Sequence, residues 1–224
     1  MQTLSNVIPF RRLKPRRPDT KPKSELPPFY KAVLAPASSV EWFSPPALVR
    51  ALGGESGFDI DPCTPEDPSL LPMRTARRLI PPSEDGLTSL WPVWAFVWMN
   101  PPYGRGIDQW LHKLANHPAG GIALVPANMD AGWMHDLVLG HTAVRAVLIT
   151  RGRLKFVRPD GTPQRGNTSG SVLVAYGERA KRHLKQVVDA GEVRGIYLQF
   201  APPVHDLGPG VAANDDAREE KAHG

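Results

Sequence analysis

Four consecutive residues, Asn100-Pro101-Pro102-Tyr103, bring together groups able to act on an amine. An amine on an aromatic ring is a poor nucleophile because its lone pair is delocalised, and its acidity is too low for prior deprotonation to help. Two acceptors set against the amine hydrogens localise the lone pair toward an electrophile and stabilise the charge developing in the transition state. The amide oxygen of Asn100 and the backbone carbonyl of Pro101 are suited to be those acceptors. Proline fixes φ and lacks an N–H, so Pro101 and Pro102 hold a stiff turn that aims the carbonyl one way. Tyr103 is placed to stack on a target base, an interaction worth roughly 1–3 kcal/mol. A base within a duplex must leave the stack to reach it. The plain alternative is a proline-rich turn closing a buried strand, and the four residues alone do not choose the amine.

Such a turn needs a strand to deliver it, and Phe96-Val97-Trp98-Met99 is a buried strand ending there. Around it the pattern predicts a helix after Ser44, as N-cap, and Pro45, stopped at Gly53-Gly54. A short strand follows from Phe58 to Pro62, and a possible one at Arg78-Leu79-Ile80. A helix is expected over Ile107–His117, a strand over Ile122–Val125, a helix capped by Asp130 to about Leu139, and a strand over Ala143–Ile149. Arg153–Val157 and Ser171–Tyr176 read as strands around a Gly/Pro-rich loop, then a helix over Arg179–Ala190 and a strand over Gly195–Phe200. Strands alternating with helices predict an α/β fold with a mostly parallel sheet; the late run adds an antiparallel edge. Ligands in such folds bind beyond the carboxyl ends of the strands, where both Asp61-Pro62 and Asn100-Pro101 fall.

Other residues carry weaker signals. Of Asp59 and Asp61 only one is expected to meet a ligand, and Asp61, at the strand's end, is the better candidate. Cys63 reads as a small buried hydrophobe, and Trp91, Trp94 and Trp98 as packing. Asp130 is a helix cap or a substrate contact. His112, His117, His135 and His141 lack metal-site spacing, and no metal is expected. Arg151, Arg153, Lys155, Arg158 and Arg165 crowd into one stretch, either a basic loop against DNA phosphates or a solvated hairpin.

The chain has 224 residues and 41% hydrophobic residues, enough for one domain with a core. Its net charge of +5 is unevenly placed: residues 1–35 carry +6 and residues 211–224 carry −2. The expected division is a disordered basic tail over 1–35, a domain over 36–205 and a flexible tail over 206–224. The basic tail is either a phosphate-binding arm or a solvated one. The absence of a long apolar run predicts no membrane span or secretory signal. The single cysteine predicts a reducing, cytoplasmic setting. Oligomeric state is not legible.

Several runs, taken in order, resemble the phage-type DNA N-6-adenine-methyltransferase (Dam) family. Glu41-Trp42-Phe43-Ser44-Pro45 is similar to its opening, Phe58-Asp59-Ile60-Asp61-Pro62-Cys63 to its first cofactor motif, and Asp85-Gly86-Leu87 with Trp91 to its next segment. Asn100-Pro101-Pro102-Tyr103-Gly104 is similar to its catalytic motif. Ala123–Ala127 with Asp130 and Trp133, Arg151–Phe156 and Gly166–Ser171 continue the likeness, which covers roughly 41–176. The resemblance implies a Rossmann-like methyltransferase fold, S-adenosylmethionine as donor and adenine in DNA as acceptor, with a phage or prophage origin. It implies that Trp42, Phe43, Ser44, Pro45, Asp59, Asp61, Pro62 and Cys63 line the methionine end of the cofactor and Asp85 the adenosine end. Where most methyltransferases carry a Gly-rich loop after the first strand, this chain has Pro62-Cys63-Thr64-Pro65. S-adenosylmethionine has no pyrophosphate to cradle, so a phosphate loop is not required. Release-factor glutamine methyltransferases also use Asn-Pro-Pro-Tyr, so glutamine or cytosine amine groups are alternative acceptors. A non-catalytic DNA-binding relative is the remaining alternative.

Overall fold

A computed structural model describes residues 43–158, 162 and 169–201. Both expected tails lie outside these residues, as do Trp42, Arg165 and the run Gly166-Asn167-Thr168. The chain divides into two units, Met1–Val40 and Glu41–Gly224, and the described residues all belong to the second.

Seven strands form one sheet: β1 (Ile60–Asp61), β2 (Arg78–Leu79), β3 (Val97–Met99), β4 (Gly121–Pro126), β5 (Val144–Thr150), β6 (Ser171–Tyr176) and β7 (Gly195–Gln199). Their order is β2-β1-β3-β4-β6-β5-β7. Pairings β1–β2, β1–β3 and β3–β4 are parallel, whereas β4–β6, β5–β6 and β5–β7 are antiparallel. Five strands therefore run one way and two the other. The fold is mixed α/β, parallel over its first four strands. The sequence suggested an antiparallel piece at one edge; of the two antiparallel strands β7 is at an edge, but β6 lies inside the sheet between β4 and β5.

Both faces are buried from β3 through β5 in the sheet order, which explains why those strands read as nearly unbroken apolar runs, while the edge strand β7 is exposed. Successive side chains alternate faces. Val97, Met99, Ala123, Val125, Val172 and Val174 join one core with α3 (Ile107–Ala115) and α4 (Gly132–Met134, continuing as a π-turn over His135–Leu139). Phe96, Trp98, Ile122, Leu124, Leu173 and Ala175 join the other with α1 (Pro46–Ala51) and α5 (Glu178–Asp189). A short helical turn, α2, covers Gly54–Gly57. Helix α5 buries Ala180, Leu184 and Val187 at helical spacing and leaves Arg179, Arg182 and Lys185 outward.

Four local expectations are corrected. Helix α1 begins at Pro46 with Pro45 at its N-cap, so Ser44 stands one residue too early to cap it. Helix α4 has Ala131 as N-cap and no side-chain cap bond, so Asp130 does not cap it. Residues 153–157 form no strand; they make one bridge, Val157 to Phe43. The alternation there is real, with Leu154 and Phe156 turned in and Arg153 and Lys155 out, but among the described residues only Phe43 bridges to it. Trp94 is 67% exposed rather than packed, because the turn that Ala95 N–H closes on the Pro92 carbonyl carries it outward. Among the described residues no helix is long and apolar enough to cross a membrane.

Candidate active site

The site is built on the edge where β1, β3, β4 and β5 end. Strands β1 and β3 are neighbours, Ile60 lying opposite Val97, so Pro62 and Asn100 leave the sheet side by side. Met99 is fully buried. Asn100 follows it, half-buried with its amide oxygen out of contact with solvent. Pro101 is buried and Pro102 exposed. Tyr103 is 43% exposed, its ring edge-on to Phe156 at 6.1 Å between centroids. Gly106 then caps α3 at φ +91°, a left-handed conformation that glycine adopts without steric cost. The segment 104–106 thus turns sharply into the helix and leaves Arg105 exposed.

Phe156 connects this turn to the opening run. It is 2% exposed, and its neighbour Val157 exchanges two backbone hydrogen bonds with Phe43, at 2.9 and 3.2 Å. Phe43 and Ser44 are buried, and so is Pro45. Three separated segments, 43–45, 100–103 and 154–157, therefore meet on one side of the strand edge.

The two aspartates of the first strand have separate environments. Asp59 precedes β1, and its Oδ2 accepts from the backbone N–H of Phe96 at 2.8 Å. It also faces Arg77 at 3.8 Å and Arg179 at 3.6 Å. Arg179 stands in the first turn of α5, after β6 ends opposite the start of β4. Asp59 therefore fastens the far end of the sheet and is not brought to the site. Asp61 is 3% exposed. Its Oδ1 accepts from the N–H of Cys63 at 2.9 Å, and its Oδ2 accepts from the Thr75 hydroxyl. Burial raises its pKa to about 6, against the opposing pull of those two bonds. Asp61 thus fixes the turn Pro62-Cys63 from beneath. Burial also pushes the Cys63 thiol up, and the Asp61 charge adds to it, so Cys63 is a poor nucleophile. The next residue, Thr64, is 5% exposed, with a buried hydroxyl that has no hydrogen-bond partner among the described residues.

Asp85 is exposed and takes φ +50°, unusual for a residue other than glycine. Its carboxylate accepts from Leu87 N–H at 3.0 Å and from the Thr88 hydroxyl at 2.9 Å. These bonds hold it below the usual carboxylate range. The turn it makes lies against β1: a Cβ on Gly86 would fall 2.1 Å from the Pro62 carbonyl oxygen. Only glycine permits that approach. The Asp61–Thr64 turn and the Asp85–Ser89 turn are thus adjacent walls beside the Asn100–Tyr103 turn.

Along the same edge, Ala127 N–H donates to Gly170 at 3.0 Å. Met129 is 40% exposed just beyond. Arg151, Arg153, Lys155 and Arg158 are all exposed. Among the described residues no group of three or more His, Cys, Asp or Glu is placed to hold a metal. Sequence reasoning missed Thr75 and Lys113, and named Phe156 only inside a longer run without a role of its own. Thr75 and Phe156 gave no local signal, because each acts on a partner distant in the chain. Lys113 was hidden as an ordinary lysine on an amphipathic helix.

The model of the DNA N-6-adenine-methyltransferase (Dam) family matches residues 34–194. No curated protein and no solved structure matches the chain.

Proposed function

From the membership of this chain in the DNA N-6-adenine-methyltransferase (Dam) family, we propose that it moves a methyl group from S-adenosylmethionine to the exocyclic amine of adenine in DNA. The observation that carries the reading is the convergence of Asn100–Tyr103 and the Pro62–Gly86 contact at one strand edge. A donor and an acceptor can be held there face to face. The strand order, with an antiparallel strand inserted between two parallel ones, supports a Rossmann-like methyltransferase fold.

The residues present fit the cofactor. The unpartnered, buried Thr64 hydroxyl is the kind of group that a bound polar ligand satisfies. In our reading Phe43, Ser44, Pro45, Pro62 and Cys63, with Trp42, line the methionine end. Asp61 holds their turn. Asp85 is ionised and exposed, and it keeps acceptor capacity for the cofactor's hydroxyls. Asp59 is left out of the site. When bound, S-adenosylmethionine supplies an electrophilic methyl on a sulfonium.

Asn100 and the Pro101 carbonyl accept the amine hydrogens of adenine and turn its lone pair toward that methyl. Tyr103, braced by Phe156, stacks on the extruded base. The amine proton passes to solvent as the nitrogen gains its methyl. Arg151, Arg153, Lys155 and Arg158 contact phosphates and position the strand, and Arg165 belongs to the same group. A DNA substrate fits the cytoplasmic setting that the single cysteine suggests.

The test is transfer of tritiated methyl to unmethylated DNA, followed by nucleoside analysis. The expected product is N6-methyladenine. Asn100→Ala should lower the rate by about a hundredfold or more, the size of losing one transition-state acceptor. Label in cytosine or in protein glutamine, or full activity in N100A, would sink the mechanism.

A further inference from the structure

Lys113 lies in the last turn of α3, outside every motif assigned to chemistry. A lysine on a surface helix ordinarily keeps its ammonium in water. Here the Nζ donates to three backbone carbonyls: Gly86 at 3.0 Å, Leu87 at 2.7 Å and Ser89 at 2.7 Å. These use all the donors that an ammonium has. The same Nζ stands 4.4 Å from the centre of the Trp91 ring, a cation–π contact. The Trp91 Nε1–H donates to Gly86 at 3.0 Å. The carbonyls of the Asp85–Ser89 turn therefore converge on one cation, and the turn is the one that rests against Pro62.

We infer that Lys113 is a positioning residue for the donor site: from α3 it fixes the Asp85–Ser89 turn against Pro62, and so sets the shape of the cofactor pocket. The inference rests on the reading of that edge as the S-adenosylmethionine site. Helix α3 begins four residues after Tyr103. Its N-terminus leaves the acceptor turn while its last turn holds the donor wall. Rigid connection through one helix keeps the two sides at a fixed separation, which is what methyl transfer between them demands. Removing the ammonium leaves three converging carbonyls that repel one another, with only the Gly86 oxygen still bonded, to the Trp91 Nε1–H. The turn then opens and loses its backing against Pro62.

The experiment is calorimetric titration of the full chain with S-adenosylhomocysteine, paired with steady-state kinetics. In Lys113→Met the dissociation constant should rise about tenfold or more, matching the loss of a charge-assisted hydrogen bond. The KM for S-adenosylmethionine should rise with it while kcat changes little, the pattern of lost uniform binding. Lys113→Arg should fall between wild type and K113M, because a planar fork cannot converge on three carbonyls as an ammonium does. Should K113M fail to fold, K113R decides alone. Weaker binding than wild type supports the inference, and wild-type binding overturns it. A K113M protein that melts lower but binds S-adenosylhomocysteine as wild type does also overturns it. Absence of binding by the wild type overturns the cofactor reading, and the inference falls with it.

Discussion

Asp61 holds its turn with a carboxylate that is 3% exposed, and that placement makes stability depend on pH. Its pKa stands at about 6 in the folded chain, against 3.8 for a free aspartate. The folded state therefore holds the proton more tightly than the unfolded one. Below the unfolded value both states are protonated and there is no penalty; above the folded value both are ionised and the penalty is full. The penalty grows with pH between them and reaches on the order of 3 kcal/mol at neutrality. Asp61→Asn keeps an acceptor for Cys63 N–H and can donate to the Thr75 hydroxyl, but it cannot ionise. Urea unfolding at a series of pH values should show D61N gaining stability relative to wild type as pH rises from about 4 to about 7. A constant difference across that range would refute the assignment. Period-two alternation puts Asp59 and Asp61 on one face and cannot separate them; only the place of Asp61 at the strand's end singled it out. Neither signal could reveal that Thr75, fourteen residues on, closes the bond, or that Arg77 and Arg179 engage Asp59. Those are contacts set by folding, and no local pattern encodes them.

At the scale of elements, periodicity found what was long and strongly patterned. Helices α3 and α5 and strands β4 to β7 were expected within a residue or two at most ends, because all but the exposed edge strand β7 bury a face that the sequence displays. Strands β1 and β2 have two residues each, too few for a pattern, and were visible only through the prolines and acids around them. Residues 153–157 have the alternation of a strand without its ladder, since side-chain burial and backbone pairing are separate events. Helix α5 supplies a direct check. Leu184 is fully buried against the sheet, so Leu184→Ala should cost about 2–5 kcal/mol. Arg182 is exposed on the opposite side, and Arg182→Ala should stay within about 0.5 kcal/mol. Urea midpoints of the two variants measure both. Equal losses would mean that α5 does not pack as described.

For the whole molecule, the placement of charge matters more than its sum. With +6 in residues 1–35 and −2 in the last fourteen, the remainder is near neutral at +1. The cations of 151–158 stand out against that background, all exposed along one stretch beside the site. If they contact phosphates, DNA affinity falls with salt in proportion to their number. Arg151→Ala and Lys155→Ala should each lower the slope of log affinity against log salt by about 1, with no change in the base methylated. Binding titrations over a range of sodium chloride measure the slope, and an unchanged slope in both variants would remove these residues from the interface. The stretch was legible in the sequence as a cluster. That it lies beside Tyr103, through Phe156, was not.

The position of β6 inside the sheet also bears on how the chain is made. Strand β5 pairs only with β6 and β7, and both lie later in the sequence. As the chain emerges from the ribosome, Val144–Thr150 is therefore an apolar ribbon with no neighbour to bond. The exit of about 25 further residues, at roughly 5–20 residues per second, takes seconds. Through that interval the segment is exposed to other chains and to chaperones. The sheet becomes continuous only when Ser171–Tyr176 lies between β4 and β5, and the outer side of β5 stays unpaired until Gly195–Gln199 follows.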